Sequence, residues 1–593
     1  MPYDQAGDLE NERERSKVEV QPLTEWFQGG RQVYEQKVRM MKVIEAEPIF
    51  DKRHRYFWGR TERFQRALAS SKRYIELRAK YKFSTEESMM FIDLVDEYLP
   101  ISLHEGMFLP TLRSQGSDEQ HQKWLEDAEN YRIIGCYAQT ELGHGSNLNG
   151  LETTATLDRT TDEWVINTPY LSSGKCWIGT LGKIANHAMV QAKLIIDGKD
   201  YGTHPFLVPI RDRKTHVVLP GIEIKDIGPK VGANTMDNGY MLLKNVRIPR
   251  ENMMMRFSKV SKEGVYSKPP SNKLAYGTMT LVRVNLVNQS GYALSRAVTI
   301  AVRYSAVRRQ GGEGIEKQVL DYAGVQYRLF PLLASSFAFR ITGEWMYAMY
   351  RKLVTELANG DIKSLADVHA YSSGLKAYTT AVAADGIEDA RKAMGGHGYS
   401  QFAGIQDFYV TYLPTNTYEG ENWLLTQQTA RYLVKILADV QKDPKATNVS
   451  KTTEYLRLVT KGSEFDSDRC PARDLHDLYR PEIQLGILAH RAAYLVRAVA
   501  GHKTNANTWS DLNIDAMRVS KAHCQYIIAL NFIEFLRDAR FSAGTRQALR
   551  DLCSLHILHT IEVGLGDHLE TGYLLPSQAT HVHTAVRELL HKI

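Results

Sequence analysis

The sequence is poor in cysteine and contains no long apolar run. Of its 593 residues only five are cysteines, and no two of them form a CxxC pair. They are Cys136, Cys176, Cys470, Cys524 and Cys553. An odd, widely spaced set argues against a disulfide framework or a structural zinc site and favours a reducing compartment. No stretch approaches about 18 consecutive apolar residues, so we expect no transmembrane helix. The N-terminal residues MPYDQAGDLENERERSK lack the apolar centre of a secretory signal.

The chain also lacks a marked excess of charge of either sign. Its 74 basic and 68 acidic residues give a formal net charge of +6, which is small for this length and does not indicate a nucleic-acid-binding protein. A hydrophobic fraction of 43% and a charged fraction of 24% exclude a mainly disordered chain. At roughly 100–200 residues per domain, the length predicts three or four domains.

Periodicity divides the chain into helical, strand-rich and again helical blocks. Apolar residues three and four apart predict an N-terminal helical domain over residues 1–132, in which the charged residues 1–20 form a loose arm. Short β-rich runs between turns predict a β-barrel or sandwich domain over residues 133–272. Long amphipathic segments predict two C-terminal helical bundles, over residues 273–445 and 446–593. The predicted fold class is therefore α+β, mainly α.

The strands of the β-rich block are predicted from runs rich in β-branched and aromatic residues. ETTATLDRTTDEWVINTP predicts a strand, a polar turn and a second strand. HAMVQAKLII, HPFLVPI and YMLLKNVRIP predict further strands.

Two glycine-bearing segments of the β-rich block offer places where a ligand can approach the backbone. YAQTELGHGSNLNG, residues 137–150, contains Gly143, Gly145 and Gly150, which let the backbone come close to a ligand. Thr140, Ser146 and Asn147 of the same segment can supply hydrogen bonds. SSGKCWIGTLGK, residues 172–183, places Trp177 beside small residues, where its indole could wall a flat aromatic cofactor. The alternatives are a tight turn at a barrel rim for the first segment and a tryptophan packed in the barrel core for the second.

Two segments of the first C-terminal bundle offer groups that bind phosphate. VRYSAVRRQ, residues 302–310, ends with Arg308 and Arg309, whose guanidinium groups can clamp phosphate oxygens. MGGHGYS, residues 394–400, forms a loop whose N–H groups could approach a phosphate or a ribityl chain. The alternatives are a solvated basic helix end and a helix C-cap followed by a turn.

A carboxylate stands just before the last helix of the first C-terminal bundle. In TYEGEN, residues 417–422, Glu419 lies between an aromatic residue and Gly420, ahead of the helical pattern WLLTQQTARYLVKIL. A carboxylate shielded from water there has a raised pKa and is a better base near neutral pH. The alternative is an acidic residue that caps the helix N-terminus, a role that fits Glu421 better.

Taken in order, these segments resemble the acyl-CoA oxidase family, part of the acyl-CoA dehydrogenase superfamily. The resemblance extends from about residue 25 to the end of the chain. It is carried by LHEGMFLPTLRSQGSDEQHQKWL (103–125), GCYAQTELGHGSNLNGLETTA (135–155), DNGYMLLKNVRIPRENMM (237–254), AVRRQ (306–310), GGHGYS (395–400) and TYEGEN (417–422). The family's dehydrogenases end after one C-terminal bundle, whereas its oxidases add a second. The block from about residue 475 resembles that addition.

The resemblance implies roles for individual residues. Thr140 contacts the flavin of FAD, and Glu419 is the catalytic base. The segment WIGT is similar to the family's WPGG-like segment, so Gly179 is expected to bind FAD. Ile178 and Thr180 replace the proline and the second glycine, and we expect a slightly different loop shape there.

The resemblance also implies that FAD is shared between two subunits of a homodimer. Arg308 and Gln310 match the residues that reach the FAD pyrophosphate across the dimer interface. Gly395 and Gly396 match a second contact across that interface. The remaining flavin-side candidates are Gly145, Ser146 and Trp177. No metal ligands are expected.

The implied reaction is α,β-dehydrogenation of fatty acyl-CoA to trans-2-enoyl-CoA, with electrons passed to O₂ to give hydrogen peroxide. Glu419 removes the α-proton, and the β-hydrogen leaves as hydride to FAD. The backbone N–H of Glu419 and a ribityl hydroxyl of FAD stabilise the developing enolate. The alternatives are a dehydrogenase that reduces a partner protein, a biosynthetic acyl-thioester desaturase and a catalytically silent acyl-CoA-binding subunit. Family analogy predicts a peroxisomal location, although the final residues HKI are not an SKL-type signal.

Overall fold

Helices dominate the described part of the chain, and the strands found there lie between residues 135 and 267. The computed structural model describes residues 5–268, 277–312, 314, 316–503, 508–537 and 540–593. The chain forms two compact units. Residues 1–31 with 279–593 are here named the helical unit, and residues 32–278 the sheet unit. The predicted fold class, α+β and mainly α, is confirmed. Among the described helices, none is both long enough and apolar enough to span a bilayer.

The helices and strands have the following bounds. The helices are α1 Gln5–Arg15, α2 Val20–Phe27, α3 Arg31–Glu45, α4 Arg60–Tyr81, α5 Thr85–Val95, α6 Leu109–Gln115, α7 Asp118–Glu129, α8 Gly277–Val307, α9 Ala323–Ala358, α10 Leu365–Ala393, α11 Ile405–Tyr412, α12 Asn422–Lys442, α13 Ser463–Ser467, α14 Pro481–His502, α15 Asn513–Phe535, α16 Ala543–Val563, α17 Leu565–Glu570 and α18 Pro576–Lys592. The strands are β1 Gly135–Ala138, β2 Thr154–Asp158, β3 Glu163–Asn167, β4 Lys175–Ile178, β5 His187–Ile196, β6 Lys199–Pro209, β7 Ile222–Asp226, β8 Gly239–Leu243, β9 Val246–Pro249, β10 Lys259–Val260 and β11 Tyr266–Ser267.

Local sequence determines where several helices of the sheet unit begin. Before α5, Ser84 Oγ accepts a hydrogen bond from Glu87 N at 3.2 Å, and the Glu87 carboxylate accepts one from Ser84 N at 3.0 Å. Ser117 and Gln120 form the same reciprocal pair before α7. Such capping boxes satisfy backbone N–H groups that have no partner within the helix.

The larger sheet of the sheet unit has six strands, with β5 at its centre. β1 and β2 pair in parallel with successive parts of β5, and β6 pairs antiparallel along its length. Almost every residue of β5 is buried, which explains the unbroken apolar run HAMVQAKLII. β2 and β3 form the predicted strand–turn–strand, and their residues alternate between the buried and the more exposed side. β9 pairs with β3 and completes this sheet.

The smaller sheet positions one of the predicted ligand-binding segments. It has three antiparallel strands in the order β4, β8, β7. β4 carries Lys175, Cys176 and Trp177, so the segment SSGKCWIGTLGK contributes an edge strand. The prediction YMLLKNVRIP resolves into two strands, β8 in this sheet and β9 in the larger one.

The helices of the two predicted C-terminal bundles share one apolar core. Buried apolar residues from α8 to α18 belong to a single continuous cluster. α10 packs closely on α12 and α15, because a Cβ at Gly374 would lie only 2.6 Å from Thr429 Oγ1 and 2.9 Å from Cys524 Sγ. The division at residues 445 and 446 stays a prediction, and the one at 272 and 273 lies outside the described residues.

The expectation of a loose N-terminal arm was wrong for its described part. Residues 5–15 form α1, and the Asp8 carboxylate accepts two hydrogen bonds from the Arg309 guanidinium, at 2.6 and 2.8 Å. On α2, Trp26 is buried against the rings of Phe337 and Phe535. This aromatic packing explains why residues 1–31 belong to the helical unit rather than to the sheet unit. Residues 1–4 lie outside the described residues.

Candidate active site

The two glycine-bearing segments of the sheet unit lie side by side. Leu142 N donates to Gly174 O at 2.8 Å, and Cys176 N donates to Thr140 O at 3.0 Å. These hydrogen bonds extend the edge of the smaller sheet into the loop that follows β1. The structure therefore brings Thr140 and Trp177, which are predicted flavin-side residues, onto adjacent segments of the chain.

The predicted flavin-side residues of this loop are accessible. Thr140 is half-buried, and Gly145 and Ser146 are exposed. A Cβ at Gly145 would meet no atom within 4 Å, so a ligand can approach its backbone. The Trp177 side chain is 60% exposed, which excludes the alternative of a tryptophan packed in the barrel core. Its backbone has a φ of +66°, a left-handed conformation that is uncommon outside glycine.

Within the segment WIGT, Gly179 and Thr180 have different structural environments. Gly179 is buried, and a Cβ there would lie 2.4 Å from Leu103 Cδ1 and 3.1 Å from Met236 Sδ, so a side chain has no room. Thr180 has a φ of +70°, the conformation that favours the glycine it replaces in the family pattern. The Thr180 hydroxyl donates to Pro100 O at 2.8 Å, which helps to hold this conformation.

A buried ion pair supports the same loop, and the sequence analysis did not identify it. Lys175 and Glu141 are both fully buried, and Lys175 Nζ lies 3.0 Å from Glu141 Oε1. The Lys175 ammonium also donates to the carbonyls of Gln139 at 3.1 Å and Gln191 at 2.8 Å. Thr153 donates to the same carboxylate through its backbone N–H and its hydroxyl. The pair thus ties the loop carrying Thr140 to β4 and β5.

Burial affects the two partners of this pair in different ways. Burial alone would raise the pKa of the Glu141 carboxyl, but the Lys175 ammonium and the surrounding donors hold that pKa below its usual value. Burial lowers the pKa of Lys175 to about 8, against the attraction of Glu141. Both groups are therefore charged at neutral pH.

The Glu141 carboxylate also belongs to a group with the composition of a metal site. Ligand atoms of Glu141, His144 and Glu152 all lie within 4.8 Å of one another. Both oxygens of Glu141 already accept hydrogen bonds from the protein, including one from Glu152 N at 2.7 Å. We therefore assign no metal to this group.

In the helical unit, the two adjacent arginines after α8 have different partners. The Arg309 guanidinium is held by the Asp8 carboxylate, and its hydrogen bonds lower the pKa of that carboxyl. Arg308 and Gln310 are exposed, and Gln310 O accepts a hydrogen bond from Tyr322 at 2.7 Å. Of the two guanidinium groups proposed to clamp phosphate, only that of Arg308 remains accessible to a ligand.

The loop after α10 lies beside this arginine segment. Tyr304, on the last turn of α8, places its hydroxyl 3.1 Å from His397 Nδ1, and the two rings are 5.4 Å apart. Gly395 has a φ of +59°, and neither Gly395 nor Gly396 has any atom within 4 Å of an added Cβ. The structure therefore brings the exposed Arg308 segment and the open glycine loop together on the helical unit.

The predicted catalytic base lies on a strained turn. Glu419 has a φ of +57° and Gly420 a φ of +103°, so two successive residues adopt left-handed conformations. For a residue with a side chain this conformation costs roughly 1–2 kcal/mol, and surrounding contacts must maintain it. The neighbouring Glu421 accepts a hydrogen bond from Leu424 N at 3.1 Å. The helix-capping role thus belongs to Glu421, as predicted.

Two buried cations hold the turn, and the sequence analysis missed both. Arg283 Nε, on α8, donates to Glu419 O at 2.9 Å. Lys376 Nζ, on α10, donates to Gly420 O at 2.7 Å and to Asn422 Oδ1 at 2.9 Å. Successive carbonyls of the turn are therefore fixed by separate helices. The sequence does contain a feature that could have indicated a buried functional lysine at position 376. Lys376 is the one charged residue in the run of mainly small side chains AYSSGLKAYTTAVAA, residues 370–384.

The pKa values at the turn follow from burial and from these charges. Burial raises the pKa of the Glu419 carboxyl, and the positive charges of Arg283 and Lys376 oppose that rise. Burial lowers the pKa of Lys376 to about 7, with Arg283 acting in the same direction. A half-buried carboxylate with a raised pKa has the properties of a general base that works near neutral pH.

Comparison with known proteins agrees with this geometry. Four family models match the chain: "Acyl-coenzyme A oxidase N-terminal" over residues 19–134, "Acyl-CoA dehydrogenase, middle domain" over 136–246, "Acyl-CoA oxidase, C-alpha1 domain" over 276–434 and "Acyl-CoA oxidase" over 480–593. Peroxisomal acyl-coenzyme A oxidase 1 of Arabidopsis thaliana is 40% identical over 600 residues, covering 99% of this chain and 89% of that protein. The chain belongs to the acyl-CoA oxidase family.

Further acyl-CoA oxidases are similar over the full chain. The human peroxisomal acyl-coenzyme A oxidase 1 is 39% identical, covering 98% of this chain and 90% of that protein. The structure of Arabidopsis thaliana acyl-CoA oxidase 1 has a TM-score of 0.94 and 39% identity, covering 98% and 90% of the two chains. Acyl-CoA oxidase-1 of Caenorhabditis elegans, solved in complex with FAD and ATP, has a TM-score of 0.91 and 34% identity, covering 99% and 89%.

The residues present suit the FAD of an acyl-CoA oxidase. The exposed indole of Trp177 offers a flat apolar face beside the hydrogen-bonding groups of Thr140. The open backbone at Gly145 and at Gly395 allows close approach of a ligand, and Arg308 offers an accessible positive charge. These groups have the chemistry that an isoalloxazine ring and a pyrophosphate require.

Proposed function

We propose that this protein is an FAD-dependent acyl-CoA oxidase that converts fatty acyl-CoA to trans-2-enoyl-CoA. The observation that carries the proposal is the setting of Glu419, a shielded carboxylate on a strained turn with buried cations on two sides. Full-length similarity to named acyl-CoA oxidases supports the same activity. Because these relatives are named peroxisomal, we propose a peroxisomal location and a part in fatty-acid β-oxidation.

In the proposed mechanism Glu419 acts as the base. Its carboxylate accepts the α-proton of the acyl thioester as the α-carbon–hydrogen bond breaks. The backbone N–H of Glu419 donates to no acceptor among the described residues, so it is available to the thioester oxygen, where negative charge develops. Bound FAD would accept the β-hydrogen as hydride and pass both electrons to O₂, which becomes hydrogen peroxide.

The remaining site residues are proposed to hold FAD. Thr140, Trp177 and Gly179, with Gly145 and Ser146, would contact its flavin side. Arg308 and Gln310, with Gly395 and Gly396, would contact the pyrophosphate of the FAD bound to a second subunit. We therefore propose a homodimer. The exposure of Arg308 and the open space around both glycines support these roles.

An acyl-CoA dehydrogenase that reduces a partner protein is the second candidate. It would use the same base, and its electrons would go to another acceptor instead of O₂. The helices α14–α18 favour the oxidase, because that block matches the "Acyl-CoA oxidase" family model over residues 480–593.

The test compares acceptors for the purified yellow protein. We expect consumption of O₂ with formation of one hydrogen peroxide per enoyl-CoA, over a panel of saturated acyl-CoAs of increasing chain length. Rapid turnover only with an artificial electron acceptor would establish the dehydrogenase instead. Colourless protein, or no turnover with any acyl-CoA and either acceptor, would leave the silent binding subunit. Turnover restricted to an unusual acyl thioester would favour the biosynthetic desaturase.

A further inference from the structure

Lys376 is a fully buried lysine that forms no ion pair among the described residues. Its ammonium group has two acceptors, Gly420 O at 2.7 Å and Asn422 Oδ1 at 2.9 Å. Burying an ammonium group without a carboxylate partner costs several kcal/mol, and a methionine would fill similar space without that cost. The buried charge at Lys376 therefore costs stability, which points to a functional role.

Both acceptors of Lys376 belong to the segment that carries the proposed base. Gly420 follows Glu419 directly, and Asn422 begins α12. The Asn422 side chain also donates to Thr380 Oγ1 at 3.0 Å and to Asn416 Oδ1 at 3.3 Å, which joins the two sides of the turn. The hydrogen-bonding capacity of Lys376 is thus directed at the residues around Glu419.

The charged groups near Lys376 give it an electrostatic role as well. Arg283 approaches from α8, while Glu419 and Glu421 lie on the turn itself. On α10, His369 lies near Arg283, and burial lowers the pKa of that histidine, so it is neutral at pH 7. Of the two carboxylates, Glu419 has the stronger electrostatic interaction with Lys376. The positive charge of Lys376 in turn opposes the rise in the pKa of Glu419.

We propose that Lys376 is a positioning residue for Glu419. Its ammonium group fixes the left-handed turn at residues 419 and 420, and its charge keeps the carboxylate in the ionised form that accepts the α-proton. Lys376 does not touch the substrate in this proposal. The inference rests on the proposed function of Glu419. It adds that the rate depends on the ionisation of Lys376 as well as on that of Glu419.

The ionisation of Lys376 should affect the pH dependence of flavin reduction in a direction that can be measured. Glu419 must be deprotonated to act, so the rate of flavin reduction rises with pH through the pKa of Glu419. Protonated Lys376 donates charge-assisted hydrogen bonds to the turn, and these weaken when it loses its proton. Burial lowers its pKa to about 7. The rate therefore falls again as pH increases beyond that value. The wild-type profile is expected to be bell-shaped, and its two apparent pKa values belong to the coupled pair.

The experiment is anaerobic stopped-flow reduction of the FAD-loaded protein by a saturated acyl-CoA, from about pH 5.5 to 9.5. In Lys376→Met we expect the maximal rate to fall roughly 10- to 100-fold because the turn is less well held. The apparent Kd for acyl-CoA should change by less than about threefold, since substrate contacts remain. The rise at low pH should move to higher pH, because Glu419 has lost a nearby positive charge, and the fall at high pH should disappear.

Lys376→Arg separates charge from shape. The guanidinium group stays protonated up to a pH of about 12, so this variant should keep the low-pH limb near its wild-type position and lose the high-pH limb. If Lys376→Met does not fold, this variant alone decides, and an unchanged high-pH limb would overturn the proposal.

Arg491→Met is the matched control. Arg491 is another buried cation of the helical unit, and its guanidinium contacts Gln525 on α15. This variant should lose stability without altering the pH profile. A profile equally altered in the control, or a folded, flavin-loaded Lys376→Met with the wild-type rate and profile, would contradict the role of Lys376. A wild-type protein that no acyl-CoA reduces would instead overturn the proposed function, and this inference with it.

Discussion

The buried charges of the candidate site have two different arrangements at the residue scale. Lys175 pairs with the Glu141 carboxylate, and the other polar groups around the pair complete its hydrogen bonds. Lys376 and Arg283 instead bind backbone carbonyls of the turn that carries Glu419. The first arrangement compensates its charge internally and stabilises a loop, whereas the second leaves net positive charge beside a carboxylate.

Removal of Lys175 should destabilise the sheet unit. Lys175→Met leaves the Glu141 charge buried without its partner, and we expect the free energy of unfolding to fall by about 3–5 kcal/mol. Urea unfolding of the FAD-loaded protein, followed by circular dichroism, measures this change.

Lys123→Met provides the control for that measurement. Lys123 pairs with Glu251 in the same unit, but both side chains are about half exposed, and such pairs contribute only about 0–1 kcal/mol. Equal losses of stability in the two variants would contradict the distinction between the buried and the exposed pair.

The residues that stand in recognisable motifs could be proposed from the sequence. The buried residues that hold those motifs in place could not. Thr140, Trp177 and Glu419 stand in segments whose glycines and order indicate a site. Lys175 and Lys376 have no such local context, because their partners lie 34 and 44 residues away in the chain. Such pairings depend on how strands and helices pack.

At the scale of secondary-structure elements, the periodic patterns of apolar residues predicted most helices and strands. HAMVQAKLII coincides with β5, and the predicted strand–turn–strand coincides with β2 and β3, because burial on one or both faces leaves a pattern in the chain. The charged residues 1–20 were expected to form a loose arm, yet residues 5–15 form α1. Their helix is held by the distant contact between Asp8 and Arg309, which no local pattern reveals.

Two glycine-to-alanine substitutions test the close packing of α10. At Gly374 an added Cβ would lie 2.6 Å from Thr429 Oγ1, 2.9 Å from Cys524 Sγ and 3.1 Å from Ser520 Oγ. Gly374→Ala should therefore destabilise the protein by about 1–3 kcal/mol, even though alanine favours the helix. The midpoint of thermal unfolding measures this effect.

Gly486→Ala is the matched change on α14. Its added Cβ would lie 3.5 Å from the Tyr573 hydroxyl, an ordinary contact, so the higher helix propensity of alanine should stabilise the protein by up to about 1 kcal/mol. Opposite signs are the expected result. Stabilisation by both substitutions would show that α10, α12 and α15 are not as closely packed as described.

At the scale of the whole molecule, each unit carries its own set of the predicted site residues. The sheet unit carries Thr140 and Trp177, and the helical unit carries Glu419, Arg308 and the glycine loop. Sequence order and motif spacing proposed these segments for the site, and their roles stay predictions. The grouping of residues 1–31 with residues 279–593 was not predicted, because it depends on aromatic packing between distant helices.

The most direct test of the account is an anaerobic titration of the FAD-loaded protein with acyl-CoA, with Glu419→Gln beside the wild type. The wild-type flavin absorbance should bleach, recover on admission of air and release hydrogen peroxide. Glu419→Gln should bind acyl-CoA but bleach at least about 100-fold more slowly, because glutamine cannot accept the α-proton. Bleaching of Glu419→Gln at the wild-type rate would contradict the assignment of the base, and a wild-type flavin that no acyl-CoA bleaches would contradict the proposed activity.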